Sequence, residues 1–260
     1  MKMRYLLIVV VVLFVVALAS SGYAEIDQDA IVGLWLFDRD DDVARDSSKN
    51  AIAGELLGNL GSSEGKFGKA LELNGSTDYI SCGNTDNLKL TEEITVAAWI
   101  KTTQISRWNV VAAKEIWSSN AGWVLYISTN TVPAFSVSST IASGSTLIET
   151  DEWYHLAGVI DSNGNIKLYV NGVQEGSGNS TLSDADIDLR IGARHPNGAG
   201  AGIVDPFPGL IDELAIFDIA LEEEDIQAIM NQGLETATGI LAVSSADKIT
   251  TTWGSIRTQY

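Results

Sequence analysis

Two tryptophans stand where they could touch a ligand. Trp108 in SRWN and Trp117 in EIWSSN flank an apolar run at 109–114, in or near loops. An exposed indole stacks on a sugar ring, whose axial C–H groups suit a π face, and neighbouring Asn or Arg adds polar contacts. Arg107, Trp108, Trp117 and Asn120 therefore form a candidate sugar-binding set. The competing reading has both indoles merely capping the end of a packed domain. Trp35, Trp99 and Trp153 lie in strand-like segments and are expected in the core, while Trp253 is unplaced.

Carboxylates offer a second chemistry. Asp212 in GLIDELAIF shares a strand face with Leu210, Leu214 and Ile216. An unpaired carboxylate on such a face costs several kcal/mol. Its expected partner is a cation, a salt bridge from Arg190 or Arg194, or a set of backbone amides. Asp38, Asp40 and Asp42 fit the opening of an EF-hand loop, but Val43 replaces the turn glycine and Lys49 the closing glutamate. That match fails. Asp184, Asp186 and Asp188 alternate along DADID without the glutamates of a glycosidase strand, and a solvent-facing acidic edge is expected.

Other nucleophiles and metal ligands are scarce. His155 lies mid-strand and reads as a satisfied core histidine; His195 sits in a glycine-rich loop of the kind that carries ligand contacts. The sequence has no GxSxG elbow and no HExxH motif. Its one cysteine, Cys82, excludes an internal disulfide and cysteine-based metal clusters, and reads as a small buried hydrophobe. No acid/base pair can be placed, so the chain is not expected to be an enzyme.

Composition limits the partners. A chain with 45% hydrophobic residues is not disordered. Its 34 acidic against 16 basic residues give a net charge of −18, which excludes nucleic acid and favours hard cations such as calcium where carboxylates converge. Lys2 and Arg4 precede an apolar run from Tyr5 to Ala19, with Gly22 and Ala24 at the small-residue positions of a cleavage site. This order is that of a secretory signal over residues 1–24, and the run is short of the roughly 20 residues a membrane span needs. The mature chain is expected to be secreted, extracellular or periplasmic, with no integral membrane span.

Nearly every periodic segment between Ile31 and Phe217 has period two. ITVAAWIK at 94–101 places Ile94, Val96, Ala98 and Ile100 on one face. Strands are also expected at 31–37, 69–73, 78–82, 109–114, 122–128, 153–160, 165–170, 186–192 and 209–217. Turn signals such as SNGN at 162–165 and NG at 171–172 separate them. The fold expected is all-β, a two-sheet antiparallel sandwich. LEEEDIQAIMNQG at 221–233 reads as one short helix, with acids in its first turn and Gly233 as its stop. The domain is expected over 25–233, with a tail at 234–260.

The order of several segments resembles a known family. GLWLFD at 33–38, DSS at 46–48, GKFGKALELNG at 65–75, ITVAAWIK, WYHLAGVID at 153–161, IKLYVNG at 166–172 and FPGLIDELAIFDIAL at 207–221 resemble laminin-G-like jelly rolls of the concanavalin A-like lectin/glucanase superfamily. The resemblance implies a jelly-roll sandwich. It also implies a calcium ion at Asp212 shared with the N-terminal loop, where Asp46 and Asn50 are the best further ligands, with Asp38 behind them. The turn after DSS departs from the family's Gly-Asn-Gly-Asn, since Lys49, Asn50, Ala51 and Ile52 stand there. The later helix lacks its usual Ser or Thr cap, having Glu222. The fold hosts many functions. The leading expectation is a non-catalytic module binding a glycan or glycosylated surface; an adhesion module with protein partners is the alternative, and a polysaccharide hydrolase or lyase comes third.

Overall fold

A computed structural model of the chain describes residues 26–105, 107–196 and 202–240. The expected signal peptide and most of the tail, Trp253 included, lie outside these residues. In chain order, β1 (Ile31–Trp35), β2 (Glu55–Leu57), β3 (Gly61–Glu64), β4 (Lys69–Asn74) and β5 (Tyr79–Ser81) come first. Then follow β6 (Ile94–Thr102), β7 (Asn109–Ile116), β8 (Ala121–Ile127), β9 (Pro133–Val137) and β10 (Thr140–Ser143). The last strands are β11 (Tyr154–Ile160), β12 (Asn165–Val170), β13 (Val173–Asn179), β14 (Arg190–Ile191) and β15 (Pro208–Phe217). Helices α1 (Glu223–Gln232) and α2 (Leu234–Thr238) complete the described chain.

The strands form two antiparallel sheets, as the alternating pattern predicts. One runs β13-β12-β11-β6-β15-β4-β3 with β1 paired to β15; the other runs β10-β9-β8-β7-β14-β5-β2. Between them lies a core that includes Trp35, Leu71, Ile80, Ile100, Leu125, Phe135, Leu156 and Ile211. Burying such side chains contributes roughly 1.5–3 kcal/mol each, and the two sheets can bury them only against one another. The NG turn behaves as its residues require: Asn171 and Gly172 both take positive φ, 49° and 76°, to join β12 to β13.

A second apolar layer covers the outer face of the first sheet. Ile226 and Ile229 of α1 and Leu234 of α2 pack against Leu34, Ala157, Tyr169 and Phe217. Glu223, Glu224 and Asp225 occupy the first turn of α1, where the helix dipole favours them, and Gly233 at φ 78° ends it. Glu222 makes no side-chain cap bond. The first residues of the expected tail are thus a buried turn of helix: Leu234 and Thr238 are fully buried.

Three expectations need correction. A bulge in β15 between Asp212 and Ala215, with Glu213 at φ 51°, shifts the alternation, so Ile211 and Leu214 both face the inter-sheet core. Asp212 therefore does not share a face with Leu214 and Ile216. The strand expected at 186–192 is only Arg190–Ile191. Trp153, expected in the core, is half-buried just before β11. The polar strands β2, β3 and β13, in which the sequence shows no apolar stripe, lie at sheet edges.

Candidate functional site

The outer face of the second sheet is built from alternate residues of β7 and β8. Val110 and Ala113 pack there with Val124, Tyr126 and Ala134, apart from the main core, and Trp108 lies against them. A bulge between Val110 and Ala112 restores this alternation on β7 and brings Glu115 onto the same side as Ala113. Trp108 enters just before β7 and Trp117 leaves just after it, in a tight turn ending at Asn120, whose left-handed backbone (φ 51°) leads into β8. Nine residues of extended chain span about 30 Å. The two indoles nevertheless fold inward over the strand and meet edge to face, with centroids 6.4 Å apart.

These rings wall a cleft of about 480 Å3, lined also by Glu115, Arg194, His195, Val204 and Asp205. That volume suits a small ligand. Trp108 is held in place, stacked on Tyr126 at 5.1 Å with Arg194 at 4.9 Å from its centroid. Trp117 is 38% exposed and offers the open aromatic surface. Arg194 arrives from a loop closed on itself, its backbone paired in both directions with Val204. Its Nε donates to Asp205 Oδ2 at 2.7 Å and its Nη1 to Glu115 Oε2 at 3.3 Å.

Glu115 is the most perturbed group here. It is 4% exposed, and burial pushes its carboxyl up to about 7 against the pull of Arg194. Its Oε1 has no hydrogen-bond partner among the described residues. A buried acceptor left so is costly unless a donor arrives. Tyr126 beside it is pushed up to about 12, by burial and then by the charge of Glu115.

The structure brings together two of the four residues expected for sugar binding. Trp108 and Trp117 line the cleft; Arg107 is exposed and Asn120 accepts from Ser139 Oγ at 2.8 Å, and neither belongs to the lining. Glu115 and Asp205 carried no local signal. Arg194 engages these two carboxylates, not Asp212, and the loop histidine His195 does reach the cleft. His155 is fully buried edge-on to Trp99, and burial holds its imidazole down to about 3, so it is a neutral core histidine. Neither ring nitrogen has a hydrogen-bond partner among the described residues, so it is not the satisfied one expected. Cys82 is buried, which raises its thiol.

The residues expected to hold calcium do not form one site. Asp46 Oδ1 accepts from the Leu34 and Ser48 amides, and its Oδ2 from Ser48 Oγ and the Ile52 amide, all at 2.8 Å. Four donors fill the lone pairs of a carboxylate. Asn50 Nδ2 donates to the Val32 carbonyl at 2.8 Å and its Oδ1 accepts from Asn87 Nδ2. Ala51, where the family has glycine, takes φ 46°. Asp212 is elsewhere, accepting from the Lys66, Phe67 and Glu213 amides at 2.8, 3.0 and 2.8 Å. Of its three expected partners, the amides are the ones present. Asp38 accepts from the Lys69 amide at 2.7 Å. With their carboxylate oxygens taken by protein donors, Asp46 and Asp212 as arranged here do not fit the implied calcium.

The acidic triplet is likewise structural. Asp184 pairs with the buried ammonium of Lys114, Asp186 accepts from Asn84 and Asp188 from Ser81. Among the described residues no helix is long and apolar enough to cross a membrane.

Comparison with known proteins adds the family. A sequence profile of the concanavalin A-like lectin/glucanases superfamily matches residues 74–227, and the chain belongs to that superfamily. A sequence comparison with the curated proteins finds no match. Among solved structures, the chain is similar to domain 4 of AbnA, a GH43 extracellular arabinanase from Geobacillus stearothermophilus, in complex with arabinotriose. The TM-score is 0.62 at 25% identity, covering 77% of this chain and 98% of that one. It is also similar in fold to the binding domain of Paraclostridial Mosquitocidal Protein 1 (TM-score 0.62, 16% identity, 78% of this chain and 52% of that one). The receptor binding domain of botulinum neurotoxin C/D mosaic serotype gives a TM-score of 0.59 at 18% identity, covering 78% and 51%. The chain spans about half the length of these two toxin domains.

Proposed function

We propose that this superfamily member is a secreted, non-catalytic glycan-binding module whose ligand lies in the Trp108–Trp117 cleft. One observation carries the reading: two indoles converge over a sheet face beside a buried carboxylate oxygen that lacks a donor. A sugar ring supplies both complements, C–H groups for the exposed indole and a hydroxyl for the oxygen. The similarity to an arabinanase domain solved with arabinotriose supports a saccharide as the ligand. Binding without hydrolysis is favoured because Asp205, the second cleft carboxylate, is held by both Nε and Nη2 of Arg194, which leaves Glu115 without a free carboxylate partner for acid/base work. Secretion rests on Lys2, Arg4 and the apolar run after them.

Calorimetric titration of the folded protein with arabinotriose and with xylo-, cello- and manno-trioses tests this. Saturable binding of at least one, weakened tenfold or more by Trp117→Ala with unchanged melting, is the expected result. Trp117 is half-open to solvent, so its loss should spare stability. Equal binding by the variant would refute the site; binding of none would refute the glycan reading and favour a protein partner. Release of reducing ends from the same sugars would refute the non-catalytic role.

A further inference from the structure

Three cleft side chains of opposite sign form one chain: Glu115, Arg194 and Asp205. The Nε edge of Arg194 is on Asp205, its Nη1 on Glu115, and its guanidinium lies against the Trp108 ring. A guanidinium engaged along its edge and at one end has lost the two-pronged geometry that grips a ligand carboxylate or sulfate. The charge balance points the same way. With Glu115 ionised the three carry a net negative charge, and with it protonated they carry none; in neither state do they attract an anion. The unpartnered Oε1 of Glu115 adds a chemical filter. When Glu115 is ionised, as at pH 8, that oxygen calls for a donor, which a hydroxyl supplies and an ionised carboxylate or sulfate cannot.

We infer that the cleft takes an uncharged saccharide, one ring against Trp117 and a hydroxyl donating to Glu115, and turns away uronate and sulfated sugars. The inference rests on the glycan-binding reading above and adds the class of sugar.

The test compares the neutral trioses with trigalacturonic acid, by calorimetry in low salt at pH 8, above the range where imidazoles ordinarily titrate, since His195 also lines the cleft. A neutral triose binding at least tenfold more tightly than trigalacturonate is expected. Comparable or tighter binding of the acid overturns the inference while leaving glycan binding intact; binding of neither overturns both. Asp205→Asn supplies a second arm. Asp205 has φ 53°, a conformation asparagine tolerates, so the variant should fold, as circular dichroism will show. Removing that charge should raise trigalacturonate affinity about tenfold. A folded variant with no gain overturns the electrostatic basis.

Discussion

Lys114 offers the sharpest test of how the sheet beneath the cleft is held. Its side chain is 2% exposed on β7 and its ammonium pairs with Asp184, whose side chain is 18% exposed, while also donating to the Ala185 carbonyl at 2.5 Å. Replacing Asp184 by alanine leaves a buried cation with one neutral acceptor. Removing one partner of a buried pair costs about 3–5 kcal/mol, and the partial exposure of Asp184 places this case near about 3 kcal/mol. Lys114→Met deletes the cation while filling much of the space, and strands only the part-exposed Asp184 carboxylate, so it should cost less, about 2 kcal/mol. Combining the two should recover about 2 kcal/mol, because no charge is then stranded. Urea unfolding of the four proteins at pH 7, with slopes compared, measures the cycle. A coupling below about 0.5 kcal/mol would refute the claim that this ion pair is a single buried unit.

Three further outcomes follow from the contacts. Asp46→Ala should orphan the Leu34 and Ile52 amides and destabilise by about 3 kcal/mol, read as a melting temperature about 6–12 °C lower; a drop under about 2 °C would contradict the clamp. EDTA should leave melting unchanged, since donors already occupy Asp46 and Asp212; a loss restored by calcium would overturn that account. Glu115 has a folded pKa of about 7, raised from 4.5 by burial, so the folded state holds its proton more tightly than the unfolded chain. Its contribution to stability is therefore greatest below about 4.5 and is lost as pH rises through about 7, by about 3 kcal/mol in all. Burial raises Asp212 to about 7 and Glu213 to about 8 as well, so Glu115→Gln should flatten the slope of melts between pH 4.5 and 8 by roughly a third rather than abolish it; an unchanged slope would place the titration elsewhere.

What was legible in the sequence was what period and punctuation encode. Buried strands such as β6 and β11 announce themselves through alternation, and the Asn171–Gly172 turn through residues that accept positive φ. Edge strands such as β13, VQEGSGN, bury too little for a pattern to form. Nor can alternation foresee a bulge. The residue added at Glu213 turned Asp212 away from the inter-sheet core, so the most suspicious carboxylate proved to be a receiver of backbone amides.

The cleft shows the same limit from the other side. Trp108 and Trp117 could be suspected because a large aromatic in a polar loop is locally conspicuous. Glu115 and Arg194 are 79 positions apart, and nothing near either residue signals the other. Only β7, bulged at its start and carrying a tryptophan at each end, sets them on one face, where the Arg194–Val204 bridge delivers the guanidinium. The aromatic half of the site is thus written in residue type, whereas the polar half exists only in the register of the sheet. That is why a bulge-shifting change in β7, rather than loss of either tryptophan, is the perturbation that would separate the charges from the rings.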